Sequence, residues 1–199
     1  GFSDDDLDKE IYLDTYTAMA GREKATLREV LEIMRATYCA SIGVEYMHIQ
    51  EVEERAWIQE QMEGVDFRGG FSADLKKRIY KDMVEAEGFE NYLQVKHTGT
   101  KRFGLDGGES LMPLLHSVLI RAAQLGVREI SLGMPHRGRL NVLSNLMRKP
   151  FTAIFSEFQG TSAHPQDVQG SGDVKYHLGT SADRELGGHM VHLSLAANP

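Results

Sequence analysis

The feature that most constrains the fold of this chain is a short buried strand at residues 129–133, which stands between two helical segments. The segment before it, residues 111–122, repeats apolar side chains at helical spacing and ends at Gly126. The segment after it, residues 138–147, is the next predicted helix. Because a helix, a strand, a loop and a helix in this order begin a parallel sheet, the chain is predicted to contain an α/β domain.

Two further strands are predicted downstream of this unit. Residues 173–178 and 189–195 both have strand-like patterns, and the polar segment 179–188 is predicted to join them. We find no internal repeat and no low-complexity stretch in the chain. The second half of the sequence is therefore predicted to begin a parallel sheet that these 199 residues do not complete.

The first part of the chain has a different pattern, which predicts helices. A helix is predicted over residues 26–41, because Thr26 and Glu29 have the spacing of a capping box and apolar residues follow at helical spacing. A second helix is predicted over residues 51–62, and Ser72 can cap a third. The chain is therefore predicted to begin with a helical subdomain.

The predicted domains are a helical N-terminal subdomain at residues 1–95 and the first part of an α/β domain at residues 96–199. Charge is divided in a similar way, since residues 1–70 hold 7 Lys+Arg and 16 Asp+Glu, whereas residues 71–199 hold 15 and 13. An acidic unit is a poor candidate for nucleic-acid binding. It is either a solvated face or a surface for a protein partner. No apolar run approaches the ~20 residues that span a bilayer, so no membrane partner is predicted.

Residues 133–140 form the most informative motif, because they follow a predicted strand and open a helix. In open α/β sheets, ligands collect at the carboxyl ends of strands, near helix N-termini whose amides attract anions. His136 supplies a titratable donor there, and Arg137 supplies a planar cation that matches a pair of anionic oxygens. These residues are candidates for binding a phosphate or a carboxylate. The alternative is a helix start with a surface histidine and arginine.

A second candidate histidine lies in a segment with glycines at both ends. Residues 170–179 alternate as a half-buried strand does, so His177 is predicted to point from a strand end into a cleft. The alternative is a core or edge histidine with a structural role. The glycine-rich residues 101–110 are predicted to support the site, and not to take part in catalysis.

Metal binding needs consideration, because five of the eight histidines lie between residues 136 and 192. His189 and His192 are three apart in a predicted strand, which places them on opposite faces. They lack the i, i+4 helical spacing of zinc proteases. No metal site is predicted in this chain, and a metal hydrolase remains an alternative function.

Several strings, in the same order and across nearly the whole chain, are similar to the 2-oxoglutarate dehydrogenase family, the thiamine-diphosphate-dependent decarboxylating component of a multienzyme complex. The chain resembles an N-terminal fragment of that family. The 2-oxoadipate dehydrogenases are close relatives with much of the same pattern, so the substrate stays open between the two oxoacids. The strings that carry the resemblance are residues 38–49, 101–110, 133–140, 172–179 and 192–199.

This resemblance implies a longer, homodimeric oxidoreductase of the tricarboxylic acid cycle. Such an enzyme decarboxylates 2-oxoglutarate on thiamine diphosphate with Mg²⁺, and passes the succinyl group to the lipoyl domain of dihydrolipoyl succinyltransferase. By matching position to motif, Arg137 would contact thiamine diphosphate, whereas His136 and His177 would line the active site and bind or protonate the 2-oxoacid. The implied compartment is the bacterial cytoplasm or the mitochondrial matrix.

The chain departs from the family because the Gly-Asp-Gly…Asn-Asn motif, which holds magnesium and diphosphate, is absent. Residues 172–174 are not a substitute, since the third is not glycine and no paired asparagine follows. The Mg²⁺ ligands are therefore expected beyond residue 199, and the chain is expected to be inactive alone. A non-catalytic binding or assembly module, docking through its acidic helical unit, is the alternative from a different functional class.

Overall fold

A computed structural model describes residues 1–13, 19, 22–63, 70–159 and 179–197 of this chain. The fold is mixed α/β, as the sequence predicted. Its residues form two compact units, Gly1–Ser72 and Ala73–Pro199. The long helix Ala73–Lys96 thus belongs to the second unit, although the sequence places the change of fold class at residues 95–96. That domain boundary stays a prediction.

The first unit contains a small antiparallel sheet that the sequence did not predict, together with the first two predicted helices. Its core is small, with Leu13, Met19 and Ala25 buried. The elements are a 3-10 helix (Asp4–Asp6), strands β1 (Glu10–Tyr12) and β2 (Lys24–Thr26), and helices α1 (Leu27–Tyr38) and α2 (Val52–Met62).

Helix α1 begins where the capping box predicts. The Glu29 backbone N–H donates to the Thr26 hydroxyl at 3.3 Å, and the Thr26 N–H donates to the Glu29 carboxylate at 2.8 Å. Two amide donors at the start of the helix are satisfied in this way. The helix ends at Tyr38, three residues before the predicted end.

The second unit is built around a three-stranded sheet with the order β3-β5-β4. Strand β5 runs parallel to β3 and antiparallel to β4, so the predicted parallel pairing is confirmed. The elements are α3 (Ala73–Lys96), α4 (Leu111–Gln124), β3 (Glu129–Leu132), α5 (Arg139–Asn141) continuing as a π-helix (Val142–Leu146), α6 (Phe151–Phe158), β4 (Thr180–Leu186) and β5 (His189–Leu195).

The prediction that residues 179–188 are only a polar connection was wrong, because they contain the seven-residue strand β4. Alternate side chains of β4 face the interior, yet only Ala182 and Leu186 in this strand are apolar. The sequence therefore lacks the apolar alternation that reveals most half-buried strands. Gly187 and Gly188 have left-handed backbones, with φ of 58° and 83°, and make the tight two-residue turn into β5.

Helix α4 connects the other helices of this unit to the sheet. It contacts α3, the π-helix, β4 and β5. Its end is fixed by Gly126, which has φ of 96°, and by hydrogen bonds from Gly126 and Val127 to the carbonyls of Ala123 and Ala122. No helix in the described residues is long and apolar enough to cross a membrane.

Candidate active site

The loop after β3 lies at the carboxyl end of a parallel strand pair, where the sequence places the site. The Ala196 N–H, just after β5, donates to the carbonyl of Leu132 at 2.8 Å. Arg139 joins the same two chain segments, since its guanidinium donates to the carbonyls of Met134 at 3.3 Å and Ala196 at 2.6 Å. Arg139 is wholly buried, and burial lowers the pKa of its guanidinium. The loop that carries His136 is therefore anchored to the end of β5.

Arg137 is held in place by the glycine-rich loop at residues 101–110. Its Nε and Nη2 donate to the Leu105 carbonyl at 3.1 and 2.7 Å, and Nη2 also donates to the Asp106 carbonyl at 3.0 Å. The side chain is exposed. Within the part of the chain that the structure describes, these bonds occupy Nε and Nη2, so the Nη1 amino group of a fixed, accessible cation can bind an anionic ligand. The contact agrees with the predicted supporting role of this loop.

His136 is stacked on an aromatic ring from the same loop. The ring centroids of His136 and Phe103 are 5.0 Å apart, with an angle of 24° between the planes. The carbonyl of Phe103 also accepts a hydrogen bond from the Gly138 N–H at 2.7 Å. Because ring and backbone contacts act together, the position of His136 depends on the position of Phe103.

The two loops pack so closely that only glycine fits at residue 138. Gly138 has φ of 74°, in the left-handed region that favours glycine. A Cβ atom there would lie 2.3 Å from the Cδ2 atom of Leu105, which is itself buried. The glycine between Arg137 and Arg139 therefore permits the close approach that brings Arg137 to the loop carbonyls.

A polar network from two helices also supports the loop. The Glu90 carboxylate of α3 accepts the Leu105 N–H, with both oxygens at 2.9 Å. Asn141 of α5 donates to Glu90 at 2.7 Å and to the Ala86 carbonyl at 3.1 Å, and accepts from Asn145 at 2.5 Å. Glu90 and Asn141 were not predicted from the sequence, because each is far along the chain from the loop it supports.

Glu109 adds a negative charge near Arg137. Its pKa is lowered first by the hydrogen bond from the Gly107 N–H, at 2.9 Å, then by the bond from its own N–H, and further by the charge of Arg137. The Glu109 carboxylate therefore stays ionised at lower pH than an ordinary glutamate does. The neighbouring carboxylate offsets part of the Arg137 charge at this edge of the sheet.

Comparison with known proteins shows what this chain is similar to. Family profiles give no match, but curated proteins align over all 199 residues at 55% identity. Proteins from Brucella canis, Brucella suis and Brucella melitensis with this identity carry the name 2-oxoglutarate dehydrogenase E1 component. This chain is a homologue of that component. The resemblance that the sequence motifs predicted is confirmed.

The chain spans only about a fifth (20%) of the length of these E1 relatives.

The structure describes only some of the predicted site residues. His136 and Arg137 lie side by side at the end of β3, whereas His177 and the strand predicted at residues 173–178 lie outside the described residues. The predicted convergence of His177 with His136 therefore stays a prediction.

The donors in the described residues fit one part of the cofactor that the E1 resemblance implies. The accessible Arg137 guanidinium suits a diphosphate oxygen, because planar N–H groups pair well with such anions. No comparable fit is found for Mg²⁺. In the ranges that the structure describes, no three His, Cys, Asp or Glu side chains come together to hold a metal ion. Ligands for Mg²⁺ beyond residue 199 remain an expectation from the resemblance.

Proposed function

We propose that this chain is the N-terminal part of a thiamine-diphosphate-dependent 2-oxoglutarate dehydrogenase E1 subunit, which decarboxylates 2-oxoglutarate and transfers the succinyl group to a lipoyl domain of dihydrolipoyl succinyltransferase. The full-length subunit would be a homodimer acting in the tricarboxylic acid cycle. The observation that carries the proposal is the fixed pair His136 and Arg137 at the carboxyl end of β3, in a chain 55% identical to E1 components. Because those relatives are bacterial, we favour a bacterial cytoplasm over a mitochondrial matrix.

Each proposed residue has a task that suits its chemistry. Arg137 would hold a diphosphate oxygen of the cofactor through its Nη1 amino group. His136 and His177 would donate hydrogen bonds to the 2-oxoacid and carry a proton to its oxo oxygen, because imidazole exchanges protons near neutral pH. When bound, thiamine diphosphate supplies the electron sink for decarboxylation. The protein thus contributes mainly orientation and charge.

Cofactor binding tests the role of Arg137. Thiamine diphosphate with Mg²⁺ is titrated by calorimetry into the full-length subunit carrying Arg137→Ala, with Arg121→Ala as a control for loss of an exposed arginine. We expect Arg137→Ala to weaken binding roughly 10- to 100-fold, as loss of a charged hydrogen bond does. The Arg121→Ala subunit should bind as wild type does. Equal affinity of the Arg137→Ala and control subunits would remove Arg137 from the cofactor site.

Activity tests the histidines. His136→Ala and His177→Ala should each slow decarboxylation of 2-oxoglutarate about 100-fold or more, which is the usual contribution of a positioned acid. The exposed His48 in the first unit provides a control as His48→Ala, which should keep wild-type kcat. Parallel assays with 2-oxoadipate decide between the two oxoacids. A His136→Ala subunit with wild-type kcat and KM would contradict the assignment.

A further inference from the structure

The loop that contacts both proposed site residues has an unfavourable backbone. Phe103 and Asp106 have φ of 45° and 38°, in the left-handed region that residues other than glycine rarely adopt. Such a conformation persists only where the surrounding structure holds it. Leu105, which lies between them, is almost fully buried. The contacts of its peptide groups therefore decide whether the loop keeps this shape.

Glu90 of α3 holds the loop through the backbone N–H of Leu105. Its two carboxylate oxygens share the Leu105 N–H at 2.9 Å each. Asn141 donates to the same carboxylate at 2.7 Å, which fixes its orientation. A Cβ atom on Gly104 would lie 2.7 Å from Oε2 of Glu90, so the carboxylate rests directly against the loop backbone. An ionised acceptor binds an amide more strongly than a neutral one.

Other groups of the same loop contact the proposed site residues. The Leu105 carbonyl accepts from Arg137, at 2.7 Å from Nη2. The Phe103 carbonyl accepts from Gly138, and the Phe103 ring stacks on His136. Leu105 is thus bound through its N–H by Glu90 and through its carbonyl by Arg137. A shift of the loop on the Glu90 side would move the partners of both site residues.

We propose that Glu90 is a positioning residue for the cofactor and substrate site. It acts through residues 103–106, by fixing the loop that orients the Arg137 guanidinium and the His136 ring. The inference rests on the proposed function, since it takes Arg137 to bind thiamine diphosphate. It adds a residue of α3 that acts through its hydrogen bonds to the loop.

The first test is the isosteric substitution Glu90→Gln in the full-length subunit. One carboxylate oxygen becomes an amino group, so only one uncharged oxygen remains to accept from the Leu105 N–H, and the new amino group is a donor beside that amide. We expect the Kd for thiamine diphosphate with Mg²⁺ to rise about tenfold, since a charged hydrogen bond is lost. Glu87→Gln, on an exposed position of the same helix, makes the same change of charge and should keep wild-type affinity. Equal affinity of the two variants would overturn the proposal.

A double-mutant cycle separates positioning from a general loss of structure. If Glu90 acts through Arg137, Glu90→Gln should change the Kd by no more than about twofold in an Arg137→Ala subunit, because coupled residues have non-additive effects. If the two substitutions instead multiply their effects on the Kd, Glu90 acts independently of Arg137, and the inference is contradicted. The Arg137→Ala subunit by itself tests the proposed function, so failure of that function is distinguished from failure of the Glu90 role.

Hydrogen exchange gives a readout that does not depend on the cofactor. In the Glu90→Gln subunit, the peptide covering residues 101–110 should exchange faster than in wild type, whereas peptides from α4 should be unchanged. If Glu90→Gln prevents folding, Glu90→Asp takes its place, since a shorter carboxylate keeps the charge but retreats from the Leu105 N–H. Unchanged exchange at residues 101–110 in the folded variant would exclude the positioning role.

Discussion

Gly138 shows how a single residue constrains this site. The position combines a left-handed backbone with close contact to Leu105. The sequence marks Gly138 only as the start of a helix, because the partner of the close contact is more than thirty residues away. His136 and Arg137 could be predicted as candidate site residues because the motif that contains them is local in sequence. Glu90, Asn141 and the contact at Gly138 could not, since they depend on tertiary packing.

We predict that Gly138→Ala destabilises the second unit by about 2 kcal/mol or more. A left-handed backbone costs an alanine roughly 1–2 kcal/mol, and the clash with Leu105 adds to this. Urea unfolding followed by circular dichroism measures the change. Gly133→Ala, in the same loop, is the matched control, because a Cβ there meets no atom within 4 Å. Equal stability of the two variants would refute the packing argument.

At the scale of elements, the sequence was reliable where local chemistry defines the element. Helix α1 has a capping box at its start, and α4 ends at a glycine with a left-handed backbone. Strand β4 was missed because polar residues occupy two of its four inward positions, and the short pair β1 and β2 offers too few residues for a pattern. These strands are defined by their pairing with neighbouring strands, which a local sequence pattern does not show.

The capping box of α1 gives a direct prediction. Thr26→Ala removes the hydroxyl that accepts the Glu29 N–H, a loss worth about 1 kcal/mol at a helix start. Amides of the first turn of α1 should therefore exchange with solvent about fivefold faster. Thr26→Ser keeps the hydroxyl and should exchange at the wild-type rate. Identical protection in the alanine and serine variants would show that the cap contributes nothing.

The same cap should weaken in acid. The pKa of Glu29 is lowered from 4.5, first by the hydrogen bond from the Thr26 N–H and then by the Thr26 hydroxyl. Its contribution to stability is complete above pH 4.5, the unfolded value, and is lost as the pH falls through the lower folded value. Protection of the first turn of α1 should fall over that range. In the Glu29→Gln variant, this acid-dependent loss of protection should be absent. If the variant loses protection in acid as wild type does, groups other than Glu29 cause the loss.

At the scale of the whole molecule, the sequence predicted the α/β fold and the parallel strand pair, whereas the structure divides the chain at residue 72. The acidic first unit and the second unit, which holds the candidate site, are each compact. The chain covers one fifth of its E1 relatives.

We predict that the 199-residue chain does not release CO₂ from 2-oxoglutarate with thiamine diphosphate and Mg²⁺, whereas the full-length subunit does. The described residues offer a cation for the diphosphate but no cluster of metal ligands. Assaying both proteins at equal concentration measures the difference. Turnover by the short chain at a rate close to that of the full-length subunit would place the whole site within these residues.

We predict that His136, Arg137 and His177 meet at one anion-binding crevice of the full-length subunit. A cryo-electron microscopy structure of the full-length subunit with thiamine diphosphate and Mg²⁺ would measure this directly. We predict that the Arg137 guanidinium lies within hydrogen-bonding distance of the cofactor, with both imidazoles facing the space beside it. Imidazoles of His136 and His177 on opposite sides of the subunit, or a cofactor remote from Arg137, would contradict the account.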